Sequence, residues 1–151
     1  MSYRIREIRE TDLPLLAPLL RAHALYEGAD WVDTGQVQRL QTAFFGERPV
    51  IHGWIAELHE QLVGYMTATR EFSTWAAHPF IHMDCLYLSE PHRRRGLGAR
   101  FLRTLEQFCR EQQCTSIEWQ TPTSNLPAIE FYTKMGARSL DKRRFYLSLG
   151  R

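Results

Sequence analysis

Residues 86–100, Leu86-Tyr87-Leu88-Ser89-Glu90-Pro91-His92-Arg93-Arg94-Arg95-Gly96-Leu97-Gly98-Ala99-Arg100, leave the backbone few choices. The apolar run stops at Ser89 and Pro91. From Leu97 apolar residues return at Phe101, Leu102, Leu105, Phe108 and Cys109, the spacing of one helix face. Strand, turn and helix are therefore expected in that order, with the glycines where the helix begins. At such a junction several N–H groups lack an intrahelical partner, the helix dipole is positive, and glycine lets a ligand approach the main chain. Arg93, Arg94 and Arg95 add side-chain charge suited to phosphate oxygens, so the stretch reads as a site for a diphosphate-bearing cofactor. The P-loop and the dinucleotide fingerprint are both excluded, because the first needs Gly-Lys-Ser/Thr and the second a third glycine after Gly98.

The remaining composition narrows the class. A chain of 151 residues with 44% hydrophobic and 24% charged residues fits one soluble domain, 1–151, with a sizeable core. No apolar run approaches the roughly 20 residues that span a bilayer, and Met1-Ser2-Tyr3-Arg4 leads into charged alternation, so no membrane partner and a cytoplasmic location are expected. Cys85, Cys109 and Cys114 show no metal-ligand spacing and sit among apolar residues, which predicts reduced thiols and no bound metal. A net charge of +2 is too small to argue for nucleic acid. The basic charge is local: His92 to Arg103 holds five arginines and no acid, a match for a compact polyanion or, alternatively, a solvated arginine face.

Along the chain, Tyr3–Arg9 reads as a strand and Asp12 as the cap of a helix whose apolar positions run to Tyr26-Glu27-Gly28, with Pro18 predicting a kink or break. A second helix is expected from Thr34 to Gly46. Val50–Glu57 and Leu62–Thr69 read as a hairpin, Arg70–Pro79 as a loop bearing Phe72 and Trp75, and Phe80–Leu88 as the strand feeding the glycine turn. After the Leu97–Gln113 helix come a strand over Ser116–Thr121, a short helix framed by Asn125, Pro127 and Gly136, and a terminal strand over Arg143–Leu149. The order β-α-α-β-β-β-α-β-α-β predicts an α/β fold whose sheet begins antiparallel and has a crossover after its central strand.

The spacing Arg93-x-x-Gly96-x-Gly98 between strand and helix resembles the acyl-CoA loop of the GNAT family of N-acetyltransferases. A second pattern, Asn125-x-x-Ala128-x-x-Phe131-Tyr132-x-x-x-Gly136-Ala137, resembles that family's helix after the fifth strand. Asn125 and Tyr132 lie about two helical turns apart and share a face. Within the family the chain looks most like the spermidine/spermine (diamine) acetyltransferase branch, on Tyr26-Glu27, the Phe72–Trp75 loop and Asp84. That branch usually carries two adjacent acids where this chain has Asp84 and Cys85.

The resemblance implies a GNAT-like single domain, with a mixed, mostly antiparallel central sheet flanked by helices. It implies an enzyme that transfers acetyl from acetyl-CoA to a primary amine of a diamine, polyamine or amino-acid-like molecule, by direct attack in a ternary complex. Cofactor contacts fall to Leu86, Tyr87, Leu88, Arg93, Arg94, Arg95, Gly96, Leu97, Gly98, Ala99 and Asn125, and substrate contacts to Tyr26, Glu27, Trp75 and Asp84; a homodimer is implied as well. Tyr132 is the expected general acid, since a phenol of ordinary pKa near 10 protonates a departing thiolate; a core aromatic beside Phe131 is the competing reading. Asp84, between Met83 and Cys85 on a strand expected to be buried, is the expected general base with a pKa raised by burial, or else a structural hydrogen-bonding acid. Cys85 is not expected to act as a nucleophile, having no His and acid patterned to activate it. Two other readings stay open, a non-catalytic acyl-CoA-binding module and a transferase acting on protein or peptide amines.

Overall fold

The computed structural model describes residues 2–150. It divides into two compact units, Met1–Gln120 and Thr121–Arg151.

The first unit is built on a five-stranded sheet in sequential order: β1 (Arg4–Glu7), β2 (His52–Leu58), β3 (Gln61–Ser73), β4 (His78–Leu88) and β5 (Ile117–Glu118). The first three pairings are antiparallel and β4–β5 is parallel, as a crossover through a helix requires. This is the mixed, mostly antiparallel α/β architecture expected from the sequence.

Because strand side chains alternate, residues paired across strands share a face. Ile55, Tyr65 and Tyr87 form one face and are buried against Leu13, Leu16 and Leu19 of α1 (Leu13–Tyr26) and Phe44 of α2 (Gln36–Phe45). Trp54 and Met66 face the other way, where α3 (Leu97–Glu111) packs with its Phe108 ring 5.0 Å from Trp54. In α3 the predicted stripe is the buried one: Leu97, Phe101, Leu102, Leu105 and Cys109 all lie inside.

Several local expectations are corrected. Helix α1 runs unbroken through Pro18, which forfeits one N–H and keeps its ring on the exposed side. Asp12 does not cap α1 with its side chain. Its carboxylate instead accepts from Arg9 N and from both Nη atoms of Arg6, at 2.7–2.9 Å, while Arg6 also reaches Glu57 at 3.2 Å. That triad is largely buried, and the Arg6 guanidinium holds the Asp12 carboxyl below the usual carboxylate range. Helix α2 starts at Gln36, after Gly35.

The expected loop Arg70–Pro79 is mostly strand. The ladder continues from Arg70↔Ile81 to Ser73↔His78, and only residues 74–77 form the turn. A two-stranded ribbon satisfies its backbone hydrogen bonds across the ladder whether or not a face is buried. Phe72 is exposed, and Trp75 at the tip is 100% exposed.

The second unit contains α4 (Leu126–Lys134). Asn125 caps it through its side chain, accepting from Ala128 N at 3.4 Å, and Gly136 ends it at φ +94°, both as the sequence predicts. The terminal strand expected over Arg143–Leu149 does not form: the segment has no strand pairing among the described residues, and Phe145, Leu147 and Leu149 are 84–92% exposed. Alternation specifies a strand only where a neighbouring strand accepts its hydrogen bonds and a layer covers its apolar face. The strand expected over Ser116–Thr121 shortens to Ile117–Glu118, which pair with β4 at Ile81 and His82 only.

Candidate active site

The site in the first unit is made where β4 and β5 part. Their register joins Ile81 to Ile117 and His82 to Glu118, and β4 continues for six more residues to Leu88 without β5 beside it. The edge of β4 that carries Leu86 and Leu88 therefore opens beyond His82, leaving main-chain donors and acceptors available to an extended ligand.

A one-turn 3₁₀ segment, Glu90–His92, follows β4. Arg94 then takes φ +59° and Gly96 φ +79° before α3 begins. The chain thus enters α3 through a left-handed Gly96, and the first N–H groups of that helix have no intrahelical partner, a feature suited to an anion. No atom lies within 4 Å of where a Gly96 Cβ would stand, so glycine is there for its φ.

The arginines divide their labour. Arg93 is half-buried: its Nε donates to Leu88 O at 2.8 Å, and its guanidinium lies 4.4 Å from the Tyr26 ring centroid and 5.6 Å from that of Tyr87. Arg94 and Arg95 are exposed, with Arg95 Nε on Pro91 O at 3.3 Å. His92, counted with the loop in sequence, bonds the Tyr3 hydroxyl through Nδ1 at 3.0 Å. Leu97 is buried in the core, and Gly98 and Ala99 lie in the first turn of α3.

Upstream on β4 the structure departs from expectation. Thr67 pairs with Cys85 and Ala68 with Met83, so Asp84 is an extra residue, a β-bulge with no partner across the ladder. A bulge takes its extra residue out of the ladder. Asp84 is consequently exposed, its side chain 59% accessible, where the sequence led to a buried position. Its carboxylate accepts from the Cys85 thiol at 3.6 Å and stands 4.0 Å from His82 Nε2. Burial, followed by the charge of Asp84, pushes that thiol up to about 11, which agrees with the rejection of Cys85 as a nucleophile.

Around Asp84 the structure assembles residues that the sequence did not single out. His23, three residues before Tyr26 on α1, bonds the Tyr65 hydroxyl through Nδ1 at 2.5 Å and Glu27 Oε1 through Nε2 at 3.3 Å. Its ring stacks on Tyr87, with centroids 5.0 Å apart. Burial holds the Tyr65 phenol well above its ordinary pKa, so it stays protonated, and the neighbouring Cys85 and the charges of Asp84 and Glu27 act in the same direction. The only local sequence signal is the i,i+4 spacing of His23 and Glu27; Tyr65 lies 42 positions from His23. Tyr26 and Glu27 are exposed at the end of the same helix. In the second unit, Tyr132 is half-buried on α4 with its ring 5.3 Å from Phe131, and Asn125 stands at the start of that helix.

Residues 6–137 match the model of the acetyltransferase (GNAT) family. The chain belongs to that family. This GNAT acetyltransferase is 24% identical to the thialysine N-epsilon-acetyltransferase of Mus musculus, over 97% of its own length and 91% of the relative's. It is also 24% identical to spermidine/spermine N(1)-acetyltransferase-like protein 1 of Homo sapiens, over 91% of its length and 21% of that larger protein. Both relatives fall in the diamine acetyltransferase branch indicated by the sequence. Among solved structures, an aminoglycoside acetyltransferase from an uncultured soil metagenomic sample, in complex with sisomicin, superposes with a TM-score of 0.80 at 20% identity, covering 98% of this GNAT chain and 97% of the other. Among the described residues no group of three His, Cys, Asp or Glu is placed to hold a metal, and no helix is long and apolar enough to cross a membrane.

Proposed function

We propose that this GNAT enzyme transfers the acetyl group of acetyl-CoA to a primary amine of a small molecule, a diamine, polyamine or amino-acid-like compound, by direct attack. The observation that carries this reading is the parting of β4 from β5 just before the left-handed turn at Arg94 and Gly96. An open strand edge beside an anion-binding turn suits a ligand with an amide-bearing arm and a diphosphate. The open space at the Gly96 Cβ position fits the close approach of such a group.

When bound, acetyl-CoA supplies an acyl thioester. Main-chain groups of Leu86 and Leu88, either side of Tyr87, would hold the pantetheine arm, and a main-chain N–H there would serve as oxyanion donor. Arg93 to Ala99 would receive the phosphates, chiefly through main chain, and Asn125 would contact the arm, as the family resemblance implies. Asp84, exposed beside that strand edge, takes the proton from the substrate ammonium directly or through water. With the thioester in place the free amine would accept the acetyl group and release its second proton to solvent, while Tyr132 would supply a proton to the sulfur that leaves. Tyr26, Glu27 and the Trp75 hairpin tip flank the amine. The proposal takes residues 1–151 as one acetyltransferase domain, working in the cytoplasm as a homodimer.

The amine class rests on Glu27 and Asp84, two exposed carboxylates whose charges both act on the Tyr65 hydroxyl, an arrangement suited to a substrate with more than one ammonium. Titration calorimetry with acetyl-CoA, followed by initial rates across polyamines, lysine analogues, aminoglycosides and peptide N-termini, tests the reading. Small aliphatic amines should be the best acceptors; acetyl-CoA that fails to bind overturns the donor, and preference for aminoglycosides or peptides overturns the amine class. In parallel, Tyr132→Phe should lower turnover on the order of a hundredfold while acetyl-CoA affinity changes little. A wild type that binds acetyl-CoA yet acetylates nothing marks a binding module instead.

A further inference from the structure

The side chain of Arg93 leaves the cofactor turn toward α1. Tyr87 belongs to the sheet face covered by α1 and α2, whereas α3, whose first N–H groups make the proposed anion site, packs on the other. Arg93 Nε donates to Leu88 O at 2.8 Å across the Glu90–His92 turn, and that bond lays the guanidinium over two rings of the α1 face, 4.4 Å from the centroid of Tyr26 and 5.6 Å from that of Tyr87. Those rings stand 6.2 Å apart at an interplanar angle of 57°. A cation is attracted to aromatic faces, and a planar guanidinium reaches them while its Nε keeps a directed bond. Among the described residues no carboxylate forms an ion pair with Arg93, so the Leu88 carbonyl and the two rings are what hold it.

Tyr26 is the last residue of α1 and half exposed, at a helix end where backbone order falls off. Its neighbour Glu27 is one of the two carboxylates offered to the amine. Arg93 is thus a residue of the cofactor turn whose side-chain contact lies on the amine side. We infer that Arg93 is a positioning residue that couples the two ligands: through Tyr26 it makes acetyl-CoA and the amine each bind more tightly when the other is present. Main chain that closes on a diphosphate fixes the Arg93 backbone, the Leu88 bond fixes the direction of its side chain, and the guanidinium then restrains Tyr26 and, with it, Glu27. Order already imposed by the first ligand no longer opposes the second. Such coupling is reciprocal, so a single factor describes both affinities. This inference rests on the amine acetyltransferase reading above.

The test is titration calorimetry of CoA, which carries no acetyl group to transfer, without amine and with saturating 1,4-diaminobutane. It is run on wild type, Arg93→Gln, Arg93→Lys, Tyr26→Phe and Tyr26→Leu. The readout is the ratio of the two CoA dissociation constants, which reports coupling whatever a substitution does to either affinity alone. Wild type should give a ratio of about five. Arg93→Gln should bring it to about one, and so should Arg93→Lys, because an ammonium keeps the charge without the planar contact. Tyr26→Phe keeps the ring face and should keep the ratio, whereas Tyr26→Leu should abolish it. A side chain that only bound phosphate would weaken CoA equally with and without amine and leave the ratio untouched. Initial rates with acetyl-CoA and the same diamine check that its site is filled. A wild-type ratio of one, a ratio kept by Arg93→Gln, Arg93→Lys or Tyr26→Leu, or a ratio lost in Tyr26→Phe overturns the inference and leaves the acetyltransferase reading standing. A wild type that binds no CoA, or acetylates no small amine, removes both.

Discussion

The turn after β4 and the bulge within it lie about ten residues apart on one strand, and they are built from opposite materials. At the turn, Arg94 and Gly96 take left-handed φ, so that the proposed anion site is made of peptide groups, with the exposed arginine side chains of residues 94 and 95 adding charge around it. At the bulge the backbone only swings one residue out of the ladder, and everything that follows depends on side chains: Asp84, the Cys85 thiol, the Tyr65 hydroxyl and the His23 ring. A main-chain site tolerates changes of side chain but not of φ. A side-chain site tolerates changes of backbone neighbours but not of chemical group.

The sharpest way to isolate that comparison from overall stability is to damage α1 at its far end. Asp12→Ala removes the acid bonded to Arg6 at both Nη atoms and to Arg9 N, and should cost about 3 kcal/mol of unfolding free energy, read by denaturant melts, because a buried guanidinium loses its main partner. The folded-state pKa of Asp12 is depressed. Its stabilisation is therefore complete above the ordinary carboxylate pKa and is lost as pH falls through the lower folded value. Acid melts of wild type should show this loss, and Asp12→Ala should flatten it, while KM for the amine stays put.

Next in size, Asp84→Asn keeps the shape of the bulge and removes the proposed base, and kcat should fall about fiftyfold with acetyl-CoA affinity unchanged. If Asp84→Asn weakened acetyl-CoA instead, the division between the two places on β4 would break. Gly96→Val forces a β-branched residue into left-handed φ, costing about 1–2 kcal/mol, and should raise the acetyl-CoA Kd about tenfold by calorimetry. The smallest effect belongs to Arg94→Gln, which leaves the backbone turn intact: about a threefold rise in Kd that shrinks in high salt, since an exposed charge is screened. An Arg94→Gln effect larger than that of Gly96→Val would mean that side chains, not peptide groups, make the anion site.

Which of these features the sequence disclosed follows from the same division. The turn was legible because its cause is local: arginines, glycines and the apolar stripe of α3 lie within one short stretch, and helix caps such as Asn125 obey near-neighbour rules. The bulge was not. Met83 and Cys85 flank Asp84 with apolar side chains on a strand that reads as buried, which argued for burial of Asp84, and the inserted residue becomes visible only when β3 supplies the register Thr67↔Cys85 and Ala68↔Met83. The His23–Tyr65 bond was equally hidden, since a contact across 42 positions leaves no spacing to read. The terminal segment shows the converse error: Phe145, Leu147 and Leu149 have a strand's pattern but no ladder among the described residues.

The bulge at Asp84 also bears on how such a protein diverges. A paired position in the middle of a sheet is committed twice, to a neighbour across the ladder and to the layer above it, so a new side chain there must satisfy both at once. Asp84 answers to neither, because it has no cross-strand partner and its side chain points to solvent. A lineage can try acids, amides or hydroxyls at that point without shifting the frame of the strand or opening the core. Selection for a new acceptor is thereby freed from selection for a foldable sheet, and the cost of each trial is confined to the trait being tried.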